Sequence, residues 1–493
     1  MQTNLTHPLQ SLKHCYIIGI KGVGMTALAQ CLLDKGITVA GCDVNEEFVT
    51  EKILSSLPIQ IDNLDVQKLP IDTDFVIYGS AHQGKDHLLV QLAVKHSIPI
   101  YSHAQILGLL SQEKDTIAVC GVGGKSTTSA LLAWILENSH ENPSYHVGVG
   151  EITGLPRTGR WNTSGSLFVT EADEYAENPQ AVARGEEIIP RFHYLQPKII
   201  ICTNLLYDHP DVYDSLESTV NTYYSFFTQL KQNGILLWNA DDAQLQAVVQ
   251  KLHNNRPDVL TVSFGTTNSA EVQIHDLGYE TGAHLVEFIS NRQSSVKRNS
   301  QLITFSLPGL HNLQNAAAAW ACLMLMQLTD QVITQHMSTF QSTSRRFQLI
   351  SSKDESYYYD DYAHHPTEIA ATLSACKALF PYHKLVVLFQ PHTYSRTEAL
   401  LPDFANAFSL ADTLLLIPIF GSAREKIGTI TLEDLAKAIK TARSVTTDIR
   451  ITSSITNAVE QLGSIDTKKA VVITLGAGDV YTIHDLLARK GHA

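Results

Sequence analysis

The stretch Gly121-Val122-Gly123-Gly124-Lys125-Ser126-Thr127-Thr128 carries the strongest chemical signal in the chain. An apolar run, Thr116 to Cys120, leads into it, and a run with helical spacing, Thr127 to Glu137, leaves it. Glycines let backbone N–H groups close around phosphate oxygens, and a helix start favours an anion. In such a loop the lysine reaches the outer phosphates, and the Ser126 hydroxyl suits Mg2+. Gly121, Gly123, Gly124, Lys125, Ser126 and Thr127 are therefore candidate nucleotide contacts. The full pattern G-x-x-x-x-G-K-[ST] asks for glycine at 119, where Val119 stands. A glycine-rich helix entry without a ligand is the competing reading.

Weaker signals surround it. Gly19-x-x-Gly22-x-Gly24 follows the run Cys15 to Ile20, with Asp43 nineteen residues past Gly24. This is close to a dinucleotide-binding turn with its ribose-binding acid, although a ligand-free βα turn fits equally well. Glu171-Ala172-Asp173-Glu174 crowds three carboxylates at the end of the run Leu167 to Val169, which is costly unless a cation neutralises them. A solvated acidic loop is the alternative. Asn204 to Tyr213 starts where the run Ile199 to Cys202 ends, and it contains His209, a candidate metal or phosphate contact. Sites in open α/β sheets gather at the carboxyl ends of strands, so Lys125, Ser126, Glu171 and His209 support one another. Further on come Arg345-Arg346-Phe347, then Asp360 to Thr367 with adjacent His364 and His365, then Gln390 to Thr397. Arg396 in that last stretch can clamp a carboxylate through two parallel hydrogen bonds.

The elements that must position these residues read as α/β throughout. At ~150 residues per domain, 493 residues suggest three domains. In the first, a helix over Thr26 to Lys35 follows a turn at Lys21 to Met25, and Gly36 stops it. The runs Ile37 to Ala40, Phe75 to Tyr78 and Ile98 to Tyr101 predict further strands, with a helix at Asp86 to Lys95. This alternation predicts a parallel sheet covered by helices. In the second, Pro257 to Phe305 reads as a β-rich flank and Leu313 to Leu328 as a long alanine-rich helix. In the third, Tyr357 to Tyr359, Leu385 to Phe389, Thr413 to Ile417 and Ala470 to Leu475 read as strands. The predicted domains are 1–110, 111–342 and 343–493.

Composition narrows the class. The net charge is −13, with no basic stripe, which argues against a nucleic-acid partner. An anionic substrate then needs a local positive site. Seven cysteines without CxxC spacing argue against a disulfide framework or a cysteine-rich zinc site. The polar N-terminus predicts no signal peptide, and no apolar stretch predicts a membrane span. A cytoplasmic multidomain protein is the expectation, with the oligomeric state left open.

Taken in order, these motifs resemble the Mur ligases, the ATP-dependent amide-forming enzymes of peptidoglycan synthesis, over about residues 14 to 485. The stretches GIKGVGMTALA from Gly19, HNLQNAAAA from His311, DDYAHHPTEI from Asp360 and FQPHTYSRT from Phe389 are most similar to members that join L-alanine to UDP-N-acetylmuramate. The resemblance implies a Rossmann-like N-terminal domain for the UDP-sugar, a central P-loop ATPase domain with a parallel sheet, and a Rossmann-like C-terminal domain that closes over ATP and the amino acid. It implies that Gly19, Gly22, Gly24 and Asp43 bind the UDP-sugar, and that Lys125, Glu171 and His209 serve catalysis. Ser126, Glu171 and His209 would hold Mg2+. Asn312, Asn315, Arg346 and Asp361 would contact ATP beside the phosphate loop, and His392, Tyr394 and Arg396 would receive the amino acid.

The chain departs from the family pattern at several points. The usual loop reads Gly-Thr-His-Gly-Lys-Thr-Thr, whereas Val122, Gly123 and Ser126 stand here. Lys21 replaces a usual glycine and Thr393 a usual basic residue. EADEYA and HPDVY lean towards the ligase that recycles L-alanyl-γ-D-glutamyl-meso-diaminopimelate onto the same UDP-sugar. Alanine addition, tripeptide recycling and a decayed nucleotide-binding regulator stay open on the sequence.

Overall fold

The computed structural model describes residue 9 and residues 12–280, 282–291, 299–421, 428–442 and 447–489. Most of the polar N-terminus, and parts of the predicted β-rich flank, lie outside the described residues.

Three sheets carry the architecture. The first contains β1 (His14–Ile18), β2 (Thr38–Asp43), β3 (Gln60–Asn63), β4 (Phe75–Tyr78) and β5 (Ile100–Ser102), in the order β3-β2-β1-β4-β5. All its pairings are parallel. The second contains β6 (Asp115–Cys120), β7 (Ser144–His146), β8 (Gly159–Arg160), β9 (Leu167–Glu171), β10 (Ile199–Cys202), β11 (Ile235–Asn239), β12 (Leu260–Gly265), β13 (Val272–Glu280), β14 (Ala283–Ser290) and β15 (Asn299–Phe305). Its order is β15-β14-β13-β12-β11-β10-β6-β9-β7-β8, parallel from β13 through β7 and antiparallel at both edges. The third contains β16 (Gln348–Lys353), β17 (Ser356–Asp361), β18 (Lys384–Phe389), β19 (Thr413–Leu416), β20 (Asp448–Ile451) and β21 (Ala470–Leu475), in the order β16-β17-β21-β18-β19-β20.

The helices that face the chemistry begin where glycine or a capping residue lets them. α1 (Val23–Asp34) starts after Gly22, earlier than the predicted turn allowed. α2 (Lys125–Asn138) starts after Gly124, whose φ of +88° favours glycine. Lys125 and Ser126 therefore belong to the first helical turn. α3 (Leu310–Leu325) begins three residues before the predicted Leu313, after Gly309 at φ +93°. α4 (Pro366–Leu379) carries Pro366 at its first position, and the His365 side chain caps it. α5 (Tyr394–Ala399) is one short turn-and-a-half behind Thr393.

The cores divide unevenly among the domains. One contiguous apolar cluster unites Ile17, Leu28 and Leu32 of the first domain with Phe168, Ile200 and Phe226 of the second. α1 lies directly on β8, where a Cβ on Gly159 would overlap the Ala27 carbonyl oxygen. Gln30 also bonds Thr158 across this contact, at 3.1 Å from Nε2 to Oγ1. The C-terminal domain keeps its own clusters on the two faces of its sheet.

Candidate active site

The glycine loop at 121–124 needs glycine at two positions, Gly121 and Gly124. Gly121 has a φ of +126°, and a Cβ there would overlap Thr203 Oγ1. Asn204, at the carboxyl end of β10, grips the Gly123 peptide from both sides. Its Oδ1 accepts the Gly123 N–H at 3.0 Å and its Nδ2 donates to the Gly123 carbonyl at 3.0 Å. Thr203 Oγ1 donates to the same carbonyl at 2.5 Å. The loop is thus preorganised by the neighbouring strand end.

Lys125 Nζ donates to the Gly121 carbonyl at 2.6 Å and pairs with Glu174 Oε2 at 3.0 Å. Burial alone would lower its pKa, but Glu174, Asp173 and Glu171 outweigh that and hold the ammonium charged. Glu171, the last residue of β9, accepts the Ser126 hydroxyl at 3.0 Å and the Gly148 N–H at 2.6 Å. Burial nevertheless raises its pKa. His209 takes a left-handed φ of +58°, a strained conformation for a non-glycine residue. Its Nε2 lies 3.6 Å from both Glu174 Oε1 and Asp208 Oδ2. Burial lowers the His209 pKa, yet Asp208 and Glu174 reverse the sign and raise it.

The metal expectation therefore divides in two. Ser126 and Glu171 are adjacent oxygen donors, which suits Mg2+. His209 sits instead with Asp173 and Glu174, whose ligand atoms and its own lie within 4.8 Å of one another. Both of those acids already meet cations, Asp173 at Arg191 and Glu174 at Lys125.

A cavity between the central and C-terminal domains gathers seven of the ten expected ATP contacts; Gly121, Lys125 and Ser126 are not among its lining residues. Gly123, Gly124, Thr127, Asn312, Asn315, Arg346 and Asp361 all line it. The Asn312 Nδ2 donates to the Pro308 carbonyl at 2.8 Å, which fixes the amide face it presents. Asp361 accepts the Phe347 and Ala363 N–H groups at 2.6 and 2.8 Å. Burial pushes its carboxyl up to about 6, against the pull of Arg346. The two adjacent arginines part ways. Arg345 is consumed inside its own domain by Asp360 and the carbonyls of Gly476 and Gly478, while Arg346 faces the cavity 4.0 Å from Glu368.

At the expected amino-acid end, the Arg396 fork meets a residue of this chain. Nε and Nη2 donate to Asp208 Oδ1 and Oδ2 at 2.7 and 3.2 Å, and the guanidinium is buried. Nη1 donates to His392 Nδ1 at 3.1 Å. His365 Nε2 adds a bond to the Tyr207 carbonyl at 3.2 Å. The arginine read as a free carboxylate clamp is, in this arrangement, the pin between two domains. His392 stacks on Phe420 with ring centroids 5.7 Å apart, and Tyr394 packs under Gly428.

The Gly19–Gly24 turn lies at the carboxyl end of β1, with Gly19 at φ +77° and Gly22 opening α1. Asp43, ending β2, spends its oxygens on the Lys21 and Val44 N–H groups at 2.7 and 2.8 Å. Gly24 lies against a buried histidine pair, His103 and His146, whose Nε2 atoms are 3.2 Å apart. Arg191 ties this domain to the centre by donating to Ser80 Oγ at 2.7 Å and pairing with Asp173.

Known proteins match this arrangement domain by domain. Residues 14–115 match the description "Mur ligase family, catalytic domain", 119–323 "Mur ligase middle domain", and 345–478 "Mur ligase, glutamate ligase domain". The UDP-N-acetylmuramate–L-alanine ligase of Desulfitobacterium hafniense is 32% identical over 95% of this chain and 98% of its own length. The chain belongs to the Mur ligase family. The enzyme of the same name from Streptococcus gordonii is also 32% identical, covering 95% of each chain. The crystal structure of UDP-N-acetylmuramate-alanine ligase MurC from Thermotoga maritima superposes with a TM-score of 0.75 at 22% identity, covering 97% of this chain and 99% of that one. That of a murein peptide ligase from Psychrobacter arcticus gives 0.72 at 21% identity, covering 97% and 99%.

Within this Mur ligase, sequence reasoning missed the roles of Asn204 and Asp208, and it singled out Glu174 among three crowded carboxylates without naming Lys125 as the cation that meets it. Asn204 had a usable signal, since a polar residue directly after a buried strand beside a glycine loop is placed to hold it. Asp208 had none, because its partner lies 188 residues away. No helix among the described residues is long and apolar enough to cross a membrane.

Proposed function

We propose that this Mur ligase joins L-alanine to UDP-N-acetylmuramate, forming ADP and phosphate, in the cytoplasm and in peptidoglycan precursor synthesis. The convergence of Lys125, Ser126 and Glu171 at the phosphate loop, beside the domain contact that carries His392 and Arg396, is the observation that supports it most. The names of the relatives supply the substrates.

The sugar's lactyl carboxylate attacks the γ-phosphorus of ATP, giving an acyl phosphate and ADP. The amine of L-alanine then attacks the acyl carbon, phosphate leaves, and the amine gives up a proton. The protein places these groups and offsets charge. Lys125 stabilises the transferring phosphoryl group, and the loop N–H groups cradle the oxygens. Ser126 and Glu171 would hold Mg2+, with His209 as the family's third candidate from its place beside Glu174, and the ion would supply neutralisation of phosphate charge. Gly19, Gly22, Gly24 and Asp43 form the turn for the UDP end. Asn312 and Asn315 face the base of ATP, and Arg346 and Asp361 meet the nucleotide from the closing domain. His392, Tyr394 and Arg396 form the amino-acid end, where binding requires Arg396 to share its fork between Asp208 and the incoming carboxylate.

The test is phosphate release from ATP and Mg2+ with UDP-N-acetylmuramate, comparing L-alanine, glycine, L-serine and the recycled tripeptide. Release dependent on L-alanine, with the product mass confirmed, is expected. Release with the tripeptide alone moves the enzyme to recycling, and release with none overturns the assignment.

A further inference from the structure

Lys21 departs from the glycine of the family turn, and every polar group it has is engaged. Its N–H donates to Asp43 Oδ2 at 2.7 Å, and its carbonyl accepts the Thr50 hydroxyl at 2.6 Å. Its Nζ donates to the Glu46 carbonyl at 2.9 Å and lies 3.4 Å from Glu51 Oε2. The side chain is only 10% exposed. The Phe48 ring stands 5.9 Å from the ammonium. All these partners lie on one segment, residues 43–51, which leaves the carboxyl end of β2 and runs to the short helix Glu51–Leu54. In such sheets a nucleotide sits at this edge, between the glycine turn and the end of the second strand.

The segment is also acidic. Glu46, Glu47 and Glu51 lie along it, in a chain of net charge −13, beside a turn expected to take a diphosphate. Of these three, Lys21 meets the Glu51 carboxylate directly and holds Glu46 by its backbone carbonyl, so its charge sits between the turn and the strap. On its far side the segment is held by packing, because Val49 lies against Gly150, which also touches Ser344 at the entry to the C-terminal domain. The side chain of Lys21 is thus the near-side fastener of a strap whose far side is already fixed.

We propose that Lys21 is a positioning residue for the sugar nucleotide: its ammonium group fastens the 44–51 strap beside the Gly19–Gly24 turn and shields the UDP diphosphate from the strap's carboxylates. This rests on the reading that the N-terminal domain takes the UDP end. The backbone bonds to Asp43 and Thr50 survive any substitution at 21, so variants should fold.

Calorimetric titration with UDP, on the whole enzyme, tests it. Lys21→Met keeps the stem and drops the charge, Lys21→Gly restores the family residue, and Lys21→Arg keeps the charge. UDP affinity is expected to fall roughly tenfold in the Met and Gly variants, the scale of one charged hydrogen bond, and to stay within about threefold in the Arg variant. The KM for UDP-N-acetylmuramate should rise in step while kcat and the KM for ATP hold. A Met variant that binds UDP like the parent, or that loses kcat with KM unchanged, overturns the proposal. A parent enzyme that fails to bind UDP overturns the reading of the N-terminal domain as well, so the two failures are distinguishable.

Discussion

The central domain meets its two neighbours in opposite ways. Towards the N-terminal domain the contact is apolar and continuous, with α1 laid on the backbone of β8 and Leu28 and Phe168 in one core. Towards the C-terminal domain it is mostly polar, made by Arg396 with Asp208, His365 with Tyr207, and the Ser344 hydroxyl with the Glu151 N–H at 3.0 Å, with the Tyr207 ring packed on that domain's core. Apolar burial cannot be exchanged for water without loss, whereas ion pairs and hydrogen bonds can be re-formed with solvent at modest net cost. The first contact therefore fixes the Gly19–Gly24 turn relative to the glycine loop at 121–124. On the proposed reading the second opens to admit ATP and the amino acid and then closes, so that motion falls to one domain and rigidity to the other two.

The largest expected effect lies at the centre, where neither contact is touched. Lys125→Ala should cut substrate-dependent phosphate release by ~10²–10³-fold while the unfolding midpoint stays near that of the parent. Normal turnover would remove Lys125 from the chemistry. Gly159→Val attacks the apolar contact, where a side chain would meet the Ala27 backbone. Overpacking of this kind should cost about 3 kcal/mol in urea unfolding and affect both domains together. An unchanged midpoint would mean that the contact yields easily. Asp208→Asn attacks the polar contact and should behave differently. It leaves the unfolding midpoint of the first two domains in place, while small-angle scattering shows a larger radius of gyration and the KM for L-alanine rises roughly tenfold, on the scale of a charged hydrogen bond. A midpoint that drops as far as for Gly159→Val would erase the contrast.

The smallest expected effect concerns pH. The Asp361 carboxyl is pushed up from 3.8 to about 6 by burial at the cavity. A raised acid favours the native state below its unfolded value, and that benefit is lost as pH rises through about 6. Asp208 has the opposite sign. Burial would raise it, but Arg396 and His209 hold it well below the usual carboxylate range, so its contribution is present above about 4 and lost as pH falls further. A carboxyl NMR titration should therefore find Asp361 still titrating near pH 6 after Asp208 has finished. An Asp361 midpoint at the ordinary value would show that the closed cavity does not form in solution.

Several elements were legible because the local pattern and the final environment agree. The buried runs at β4, β10, β18 and β21 are almost wholly apolar, as strands covered on both faces must be, with Thr474 in β21 satisfied by Asp360 and His484. The alternating stretch 257–305 became β12 to β15. The strands β3 and β20 were missed because each is a short, half-exposed edge, and β11 because its run Ile235–Asn239 does not differ from a buried helix segment over so few residues. The start of α3 was misplaced because Leu310 is exposed, so the apolar pattern begins later than the helix does.

By itself the sequence determined the glycine loop before α2, the order of the three domains and the family, since glycine spacing and strand-end residues act through neighbours only a few positions away. The tertiary structure alone decided that Lys125 pairs with Glu174, that His209 sits with Asp173 and Glu174, and that Arg396 pins Asp208. Those choices depend on which charges a low-dielectric interior brings within about 4 Å, and contact between residues far apart in the chain is set by packing, not by spacing.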